Sequence, residues 1–294
     1  MLMKVMVAAL TLAVCITAAA AAPTLNNASG YVQLPDAAVA EKGQYILSAA
    51  YVESEGDNEL SVLGPALPCT GEGYNLRVLT GLGENSELGV GFLNIDKDSG
   101  DASAVTVAAK YVIFTKPESK MALAVGASYR DWSADIEMEQ ALDILEVELP
   151  QVTSIYLVLD KEWDAAPEQE WVFTTSLGVS WDHYSDSNQE WDSGAPFIVP
   201  DDVPIDSPGE VEGDSFISPF LAVKAVNGDW TLMGEYKPRL DEDGFNYASE
   251  IWSLAVAKQC KSNWAVTAGI TNFNMPYTDS DADWFVDISY AFGR

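Results

Sequence analysis

WVFTTSLGVSWD, residues 171–182, alternates large apolar side chains with small or polar ones. The large set is Trp171, Phe173, Thr175, Leu177, Val179 and Trp181, and the other set is Val172, Thr174, Ser176, Gly178, Ser180 and Asp182. A period of two predicts a β-strand. A soluble sandwich would bury the apolar face and carry varied charges on the other. The small residues instead favour the crowded interior of a barrel, with the apolar face turned towards lipid.

The two tryptophans of this stretch stand ten residues apart, which is about 33 Å along a strand. A strand tilted by about 40° then rises roughly 25 Å, the height of the apolar band of an outer-membrane barrel. Aromatic girdles border that band. We therefore expect girdle positions at Trp171, Trp181, Trp230, Trp264, Trp284, Tyr290 and Phe292.

The same alternation recurs and predicts twelve strands, which start near residues 44, 73, 86, 102, 121, 152, 170, 214, 229, 246, 262 and 284. Connections after even-numbered strands are mostly short. Several connections after odd-numbered strands are long, around residues 54–72, 133–151, 185–213 and 273–283. This asymmetry is typical of transmembrane barrels. The sequence thus predicts an all-β transmembrane antiparallel β-barrel of about 12 strands, with both termini periplasmic.

The N-terminus indicates export. A positive start, an apolar run over residues 5–17 and small residues at 18–22 predict a cleaved signal peptide over residues 1–21. We expect a periplasmic N-terminal segment at 22–42 and the barrel at 43–294, in the outer membrane of a diderm bacterium. The topology places Cys69 and Cys260 at opposite ends of the barrel, so no disulfide is expected between them.

The charge balance excludes one class of partner. The chain has 15 basic and 45 acidic residues, a net charge of −30, which repels nucleic acid. Most acids fall in the odd-numbered connections and strand ends, where they would attract divalent cations or bind surface polysaccharide through such ions. A merely solvated outer surface is the alternative. No Cys/His cluster or calcium-loop motif is present, so we expect no metal site and no cofactor.

The alternation also turns charged side chains into the barrel, and these form the candidate pore lining: Arg77, Glu87, Lys110, Arg130, Asp182, Lys224, Glu235, Lys237 and Asp287. Such side chains either line a water-filled channel or pair with one another and close the lumen. A twelve-stranded barrel is intermediate in width. Both outcomes stay open at this point.

A second hypothesis rests on the sequence His183-Tyr184-Ser185. Its His-x-Ser is similar to that of outer-membrane phospholipase A and lipid A deacylase, in which the imidazole activates the serine hydroxyl. Asn188 or a loop carboxylate would orient the histidine. The simpler reading is that His183 forms hydrogen bonds at the membrane interface.

Residues 30–37 (GYVQLPDA), 81–92 (GLGENSELGVGF), 110–129 and 234–236 running on to 246 resemble the YjbH-like outer-membrane barrels associated with exopolysaccharide production. The resemblance implies a barrel with a role in the envelope or in exopolysaccharide systems, and it carries no catalytic motif. We expect a non-enzymatic barrel in contact with outer-membrane lipid, porin-like or envelope-associated. The alternatives are the lipid hydrolase and a secreted soluble β-sandwich that binds a ligand.

Overall fold

The computed structural model of the 294-residue chain describes residues 28–58, 68–97, 100–136, 145–147, 151–163, 171–185, 189–191, 215–238, 250–260, 263–272, 278–280 and 283–293. These ranges contain the strands β1 (Tyr45–Asn58), β2 (Pro68–Gly81), β3 (Ser86–Lys97), β4 (Gly100–Lys116), β5 (Met121–Ile136), β6 (Leu145–Val147), β7 (Val152–Trp163), β8 (Val172–Tyr184), β9 (Gln189–Trp191), β10 (Ser215–Asn227), β11 (Trp230–Lys237), β12 (Ile251–Gln259), β13 (Trp264–Thr271), β14 (Thr278–Ser280) and β15 (Asp283–Phe292).

Twelve of these strands close into an antiparallel barrel, which confirms the predicted all-β antiparallel barrel of about 12 strands. The periplasmic location of both termini stays a prediction. Each long strand pairs with the next long strand along the chain, and β15 pairs with β1 over Tyr45–Phe292 to Glu53–Trp284. Closure satisfies the backbone donors and acceptors of both edge strands, which a lipid environment would otherwise leave unpaired.

The twelve predicted starts fall close to the observed ones, with two larger differences. β2 begins at Pro68 rather than near residue 73, because Gly71 and Gly73 occupy luminal positions where alternation of apolar side chains gives no signal. β12 begins at Ile251 rather than near residue 246. The alternation of Trp252, Leu254 and Val256 starts at the observed position.

The barrel has a turn end and a loop end. At the turn end, short connections such as the 3₁₀ turn Pro117–Ser119 and the Gly228–Asp229 turn join the strands. At the loop end, β6 pairs with β5, β9 with β6, and β14 with β1, so these short strands extend the sheet beyond the barrel. Within residues 138–149, the described part, β6, is strand. Within the 133–151 and 185–213 loops, residues 137–144, 148–150, 186–188 and 192–213 lie outside the described residues.

The outer face is apolar. In β8, Leu177 is 58% exposed and Phe173 39%, whereas the alternate residues Ser176 and Ser180 are 0% and 6% exposed. This pattern is the reverse of a soluble protein and matches a wall that meets lipid. Among the described residues, no helix has the length and apolar character needed to cross a bilayer.

Aromatic side chains stand near both ends of the wall. Trp230, Trp264, Tyr290 and Phe292 lie at the turn end, with Trp171 directly before β8, and Trp181 and Trp284 lie near the loop end. Further aromatic residues join them: Tyr45 stacks on Phe292 with ring centroids 5.6 Å apart, and Tyr51 contacts Trp284 at 5.1 Å.

Candidate functional site

The chain that precedes β1 lies inside the barrel. We call residues 28–42 the luminal segment; most of its residues, including Tyr31, Leu34 and Asp36, are buried. It meets the wall at the turn end. There Lys42 forms an isolated parallel β-bridge with Gly81, and the Gly43 N–H donates to the Gly81 carbonyl at 2.9 Å. This differs from the expectation of a periplasmic segment over 22–42. The physical reason is that inward-facing charges of the wall bind its backbone. Residues 22–27 lie outside the described residues.

A tight turn shapes the luminal segment. The Tyr31 N–H donates to the Leu34 carbonyl at 2.9 Å, and Gly30 forms an isolated antiparallel β-bridge with Pro35. A Cβ at position 30 would stand 2.4 Å from the Leu34 carbonyl oxygen, so only glycine allows the two arms to approach this closely. The turn presents the N–H groups of Val32, Gln33 and Leu34 in the same direction.

Three carboxylates of the wall accept N–H groups of the luminal segment. Glu235 on β11 accepts those of Val32, Gln33 and Leu34 at 3.2, 2.8 and 2.9 Å. Glu87 on β3 accepts those of Ser29 and Ala40 at 2.9 and 2.8 Å. Asp160 on β7 accepts that of Ala37 at 2.9 Å. Hydrogen bonds to ionised acceptors are the stronger class, so these bonds hold the segment firmly.

Asp36 is the electrostatic centre of the segment. Its carboxylate lies 3.4 Å from the Lys110 ammonium and 3.0 Å from that of Lys224, and its side chain is fully buried. Burial alone would raise the pKa of Asp36, but the charges of Lys224 and Lys110 outweigh it and hold the pKa below its ordinary value. Lys110 also donates to the backbone carbonyls of Ser29 and Asp36 at 2.8 and 3.0 Å.

An apolar patch of the wall receives Leu34. Leu34 and Ala37 pack against Val112, Ala124, Tyr156, Val158 and Phe220. The rings of Tyr156 and Phe220 lie over glycines of the adjoining strands: a Cβ on Gly126 would stand 2.2 Å from Tyr156, and one on Gly178 would stand 2.0 Å from Phe220. Glycine therefore makes the room in which these two aromatic rings fit inside a narrow barrel.

Two polar side chains of the segment reach other strands. The Tyr31 hydroxyl lies 2.6 Å from the Ser176 hydroxyl, and burial raises the pKa of Tyr31. Gln33 donates to the Thr271 hydroxyl at 2.6 Å and to the Asn272 carbonyl at 3.0 Å. The segment thus contacts the wall on several sides at once.

The structure places all nine charged residues of the predicted lining on the luminal side of the wall. Glu87, Lys110, Lys224 and Glu235 contact the luminal segment, as given above. The other five bind within the wall: Arg77 pairs with Asp287, Lys237 donates to Asp182 at 2.6 Å, and Arg130 donates to the Thr106 hydroxyl at 3.0 Å.

Two kinds of polar residue that contribute to the site are absent from the predicted set. Asp160 and Ser176 share the inward parity used to find the others, and the sequence pattern could have found them. The members of the luminal segment, above all Asp36, carry no periodic signal. Nearer the loop end, Val52, Ile95 and Phe285 also face inward and are buried, so one side of the lumen is apolar.

The two residues of the hydrolase hypothesis, His183 and Ser185, have different hydrogen-bond partners. His183 Nδ1 lies 3.0 Å from the Ser215 hydroxyl, and its ring stacks on Trp181 with centroids 5.7 Å apart. The Ser185 hydroxyl accepts the Gln151 N–H at 2.9 Å. Asn188 lies outside the described residues. Among the residues that the structure describes, no group of three or more His, Cys, Asp and Glu side chains is placed to hold a metal ion.

Comparison with known proteins gives the fold a context. No family model and no curated protein matches the sequence. The COG4313 outer membrane channel of Pseudomonas putida F1 is similar in structure, with a TM-score of 0.56 and 14% identity over 89% of this chain and 100% of that chain. The translocator domain of the autotransporter NalP from Neisseria meningitidis has a TM-score of 0.51 and 11% identity over 86% of this chain and 90% of that one. This chain has the fold of the outer-membrane β-barrels.

Proposed function

We propose that the protein is a non-enzymatic outer-membrane barrel that forms a narrow channel, and that the luminal segment is its gate. The observation that carries the proposal is the set of bonds from Glu87, Asp160 and Glu235 to the backbone of that segment. A lipid-facing apolar wall with aromatic residues near both ends supports the outer membrane as its location.

The chemistry of the wall around the segment favours a removable gate over a permanent core. Side chains of the strands alone fill a barrel of about eight strands, whereas a wider barrel has room for a channel or a plug. Here charged groups surround the segment: Lys110 pairs with Glu87, Lys110 and Lys224 both pair with Asp36, and Asp160 and Glu235 accept backbone N–H groups. Water can solvate all of these groups once the segment leaves, whereas an apolar wall would collapse or stay dry. The lumen is thus built to be wet when empty.

The test is planar-bilayer recording of the full chain and of a variant that lacks residues 28–40. The intact protein should conduct rarely, and the deletion should conduct continuously. Heat-modifiable gel migration verifies that the deletion folds, and Glu162→Gln, which removes a charge outside the segment's contacts, serves as the control. A folded deletion variant that conducts no more than the intact protein would overturn the proposal.

The acidic connections belong to the same proposal. The chain has 45 acidic residues against 15 basic ones, and most of the acids lie in the connections of the loop end and the adjoining strand ends. The loop end would therefore concentrate cations and favour bridging by divalent ions to anionic surface polysaccharide. A role in exopolysaccharide systems, suggested by the sequence resemblance, fits such a surface. The reversal potential of the deletion variant in a KCl gradient should show cation preference, and millimolar Ca²⁺ should reduce it. An unselective current that ignores Ca²⁺ would contradict this part.

A further inference from the structure

The wall recognises the luminal segment mainly through its main chain. Six backbone N–H groups, those of Ser29, Val32, Gln33, Leu34, Ala37 and Ala40, donate to three carboxylates. Any residue other than proline supplies such a donor. We propose that this luminal site is a peptide-binding site, and that short acidic peptides are the solutes that the open channel takes. This rests on the proposed function, because the segment must first leave.

Two positions of the site select among peptides. Lys110 and Lys224 converge on one carboxylate, and both ammonium groups are nearly inaccessible to solvent while the segment is bound. A ligand without an anionic group would remove one of the two carboxylates that Lys110 binds, since Lys110 also pairs with Glu87 at 3.2 Å. It would also deprive the buried Lys224 ammonium of the carboxylate that it binds here, which is costly. The second position is the apolar patch of the wall, which holds Leu34. Leu34 comes two residues before Asp36 in the sequence. The preferred ligand is therefore a peptide with an apolar residue two positions before an acid.

Other solutes satisfy only part of this wall. Inorganic cations would neutralise Glu87, Asp160 and Glu235 but repel the two lysines. Neutral sugars supply hydroxyl donors but no anion. A peptide alone offers a row of N–H donors together with a carboxylate. The buried Tyr156 hydroxyl has no hydrogen-bond partner among the described residues, so the site retains a polar group that the resident segment does not use.

The experiment adds peptides to the variant that lacks residues 28–40, in planar bilayers. The first probe is the capped peptide ASGYVQLPDAAVA, which copies residues 28–40. It should block the current in a concentration-dependent way. The same peptide N-methylated at Val32, Gln33 and Leu34 keeps every side chain but loses the donors to Glu235, and it should block at least tenfold more weakly. The peptide with Asp36→Asn should weaken by a similar factor.

The solute class is tested with a peptide of different sequence. Capped Ala-Leu-Ala-Asp-Ala keeps only the apolar residue and the acid, and it should interrupt the current and enter liposomes that contain the variant. Capped Ala-Leu-Ala-Asn-Ala and maltotriose should do so at least tenfold less. The barrel substitution Glu235→Gln should weaken the block by the 28–40 peptide, and Glu162→Gln should leave it unchanged.

The outcomes separate the two proposals. A variant that conducts but responds equally to the native, N-methylated and asparagine peptides overturns the peptide site and leaves the channel intact. A folded variant that does not conduct overturns the channel. In that case, calorimetric titration of the detergent-solubilised variant with the same peptides still measures the site, and equal affinity for all three would overturn it.

Discussion

Asp36→Asn should release the gate, because it removes one charge without changing shape. The aspartate pairs with Lys110 at 3.4 Å and Lys224 at 3.0 Å, and the side chains of Asp36, Lys110 and Lys224 are 0%, 0% and 8% exposed. Removing one partner of a buried ion pair costs about 3–5 kcal/mol. Asparagine keeps one acceptor oxygen, so we take the lower end, about 3 kcal/mol. The closed state alone bears this cost, since water solvates both lysines after the segment withdraws.

A change of about 3 kcal/mol shifts the balance between closed and open channels roughly 100-fold. The assay is the open probability of single channels at fixed voltage, with limited proteolysis of the N-terminal segment as a second readout. Asp229→Asn, the same substitution in an exposed turn, should behave like the wild type. An Asp36→Asn channel with the open probability and protease resistance of the wild type would refute the argument that the two lysines hold the segment.

Three further predictions concern the wall and its outer face. Gly126→Ala should lower the free energy of unfolding by about 1–3 kcal/mol, because its Cβ would overlap the Tyr156 ring. The urea midpoint of unfolding should fall accordingly. Gly234→Ala, whose Cβ would meet Leu254 at 3.4 Å, should change the urea midpoint little. Asp287→Asn removes the carboxylate that pairs with the buried Arg77, whose guanidinium keeps its hydrogen bond to Ser48, and should cost about 3 kcal/mol by the same assay. Purified protein should release no fatty acid from phospholipid, and Ser185→Ala and Ser215→Ala should change nothing; release that either substitution abolishes would restore the hydrolase hypothesis.

The alternation of side chains predicts the barrel well because lipid and lumen impose opposite demands on neighbouring residues. In residues 171–182 every second side chain must tolerate lipid, and the others must fit a narrow interior, so parity alone places Asp182 inside. All nine charged residues that this rule predicts to be luminal lie on the luminal side of the wall. The same parity places Asp160 inside the barrel, although Asp160 is absent from the predicted set.

The content of the lumen could not be predicted in this way. Asp36 meets Lys110 and Lys224, partners 74 and 188 residues away along the chain. Residues 28–42 have no strand periodicity, and their backbone contacts do not depend on side-chain type, so no pattern marks them as lining or filling a pore. Inward aromatic residues such as Tyr156 and Phe285 likewise break the rule that large rings face lipid, because glycines or apolar neighbours make room for them.

The most direct test of the central claim is the position of residue 33 inside the barrel. Gln33 lies 2.6 Å from Thr271 through its side-chain amide. The test variant carries Gln33→Cys and Thr271→Cys, with Cys69→Ser and Cys260→Ser to remove the native thiols. A short bifunctional thiol reagent should join positions 33 and 271, and the joined channel should stay closed. Gln33→Cys with the native Cys260, which follows β12 at the turn end, should not be joined. Equal joining of both pairs, or free labelling of position 33 by a bulky impermeant thiol reagent, would contradict a luminal segment held against the wall.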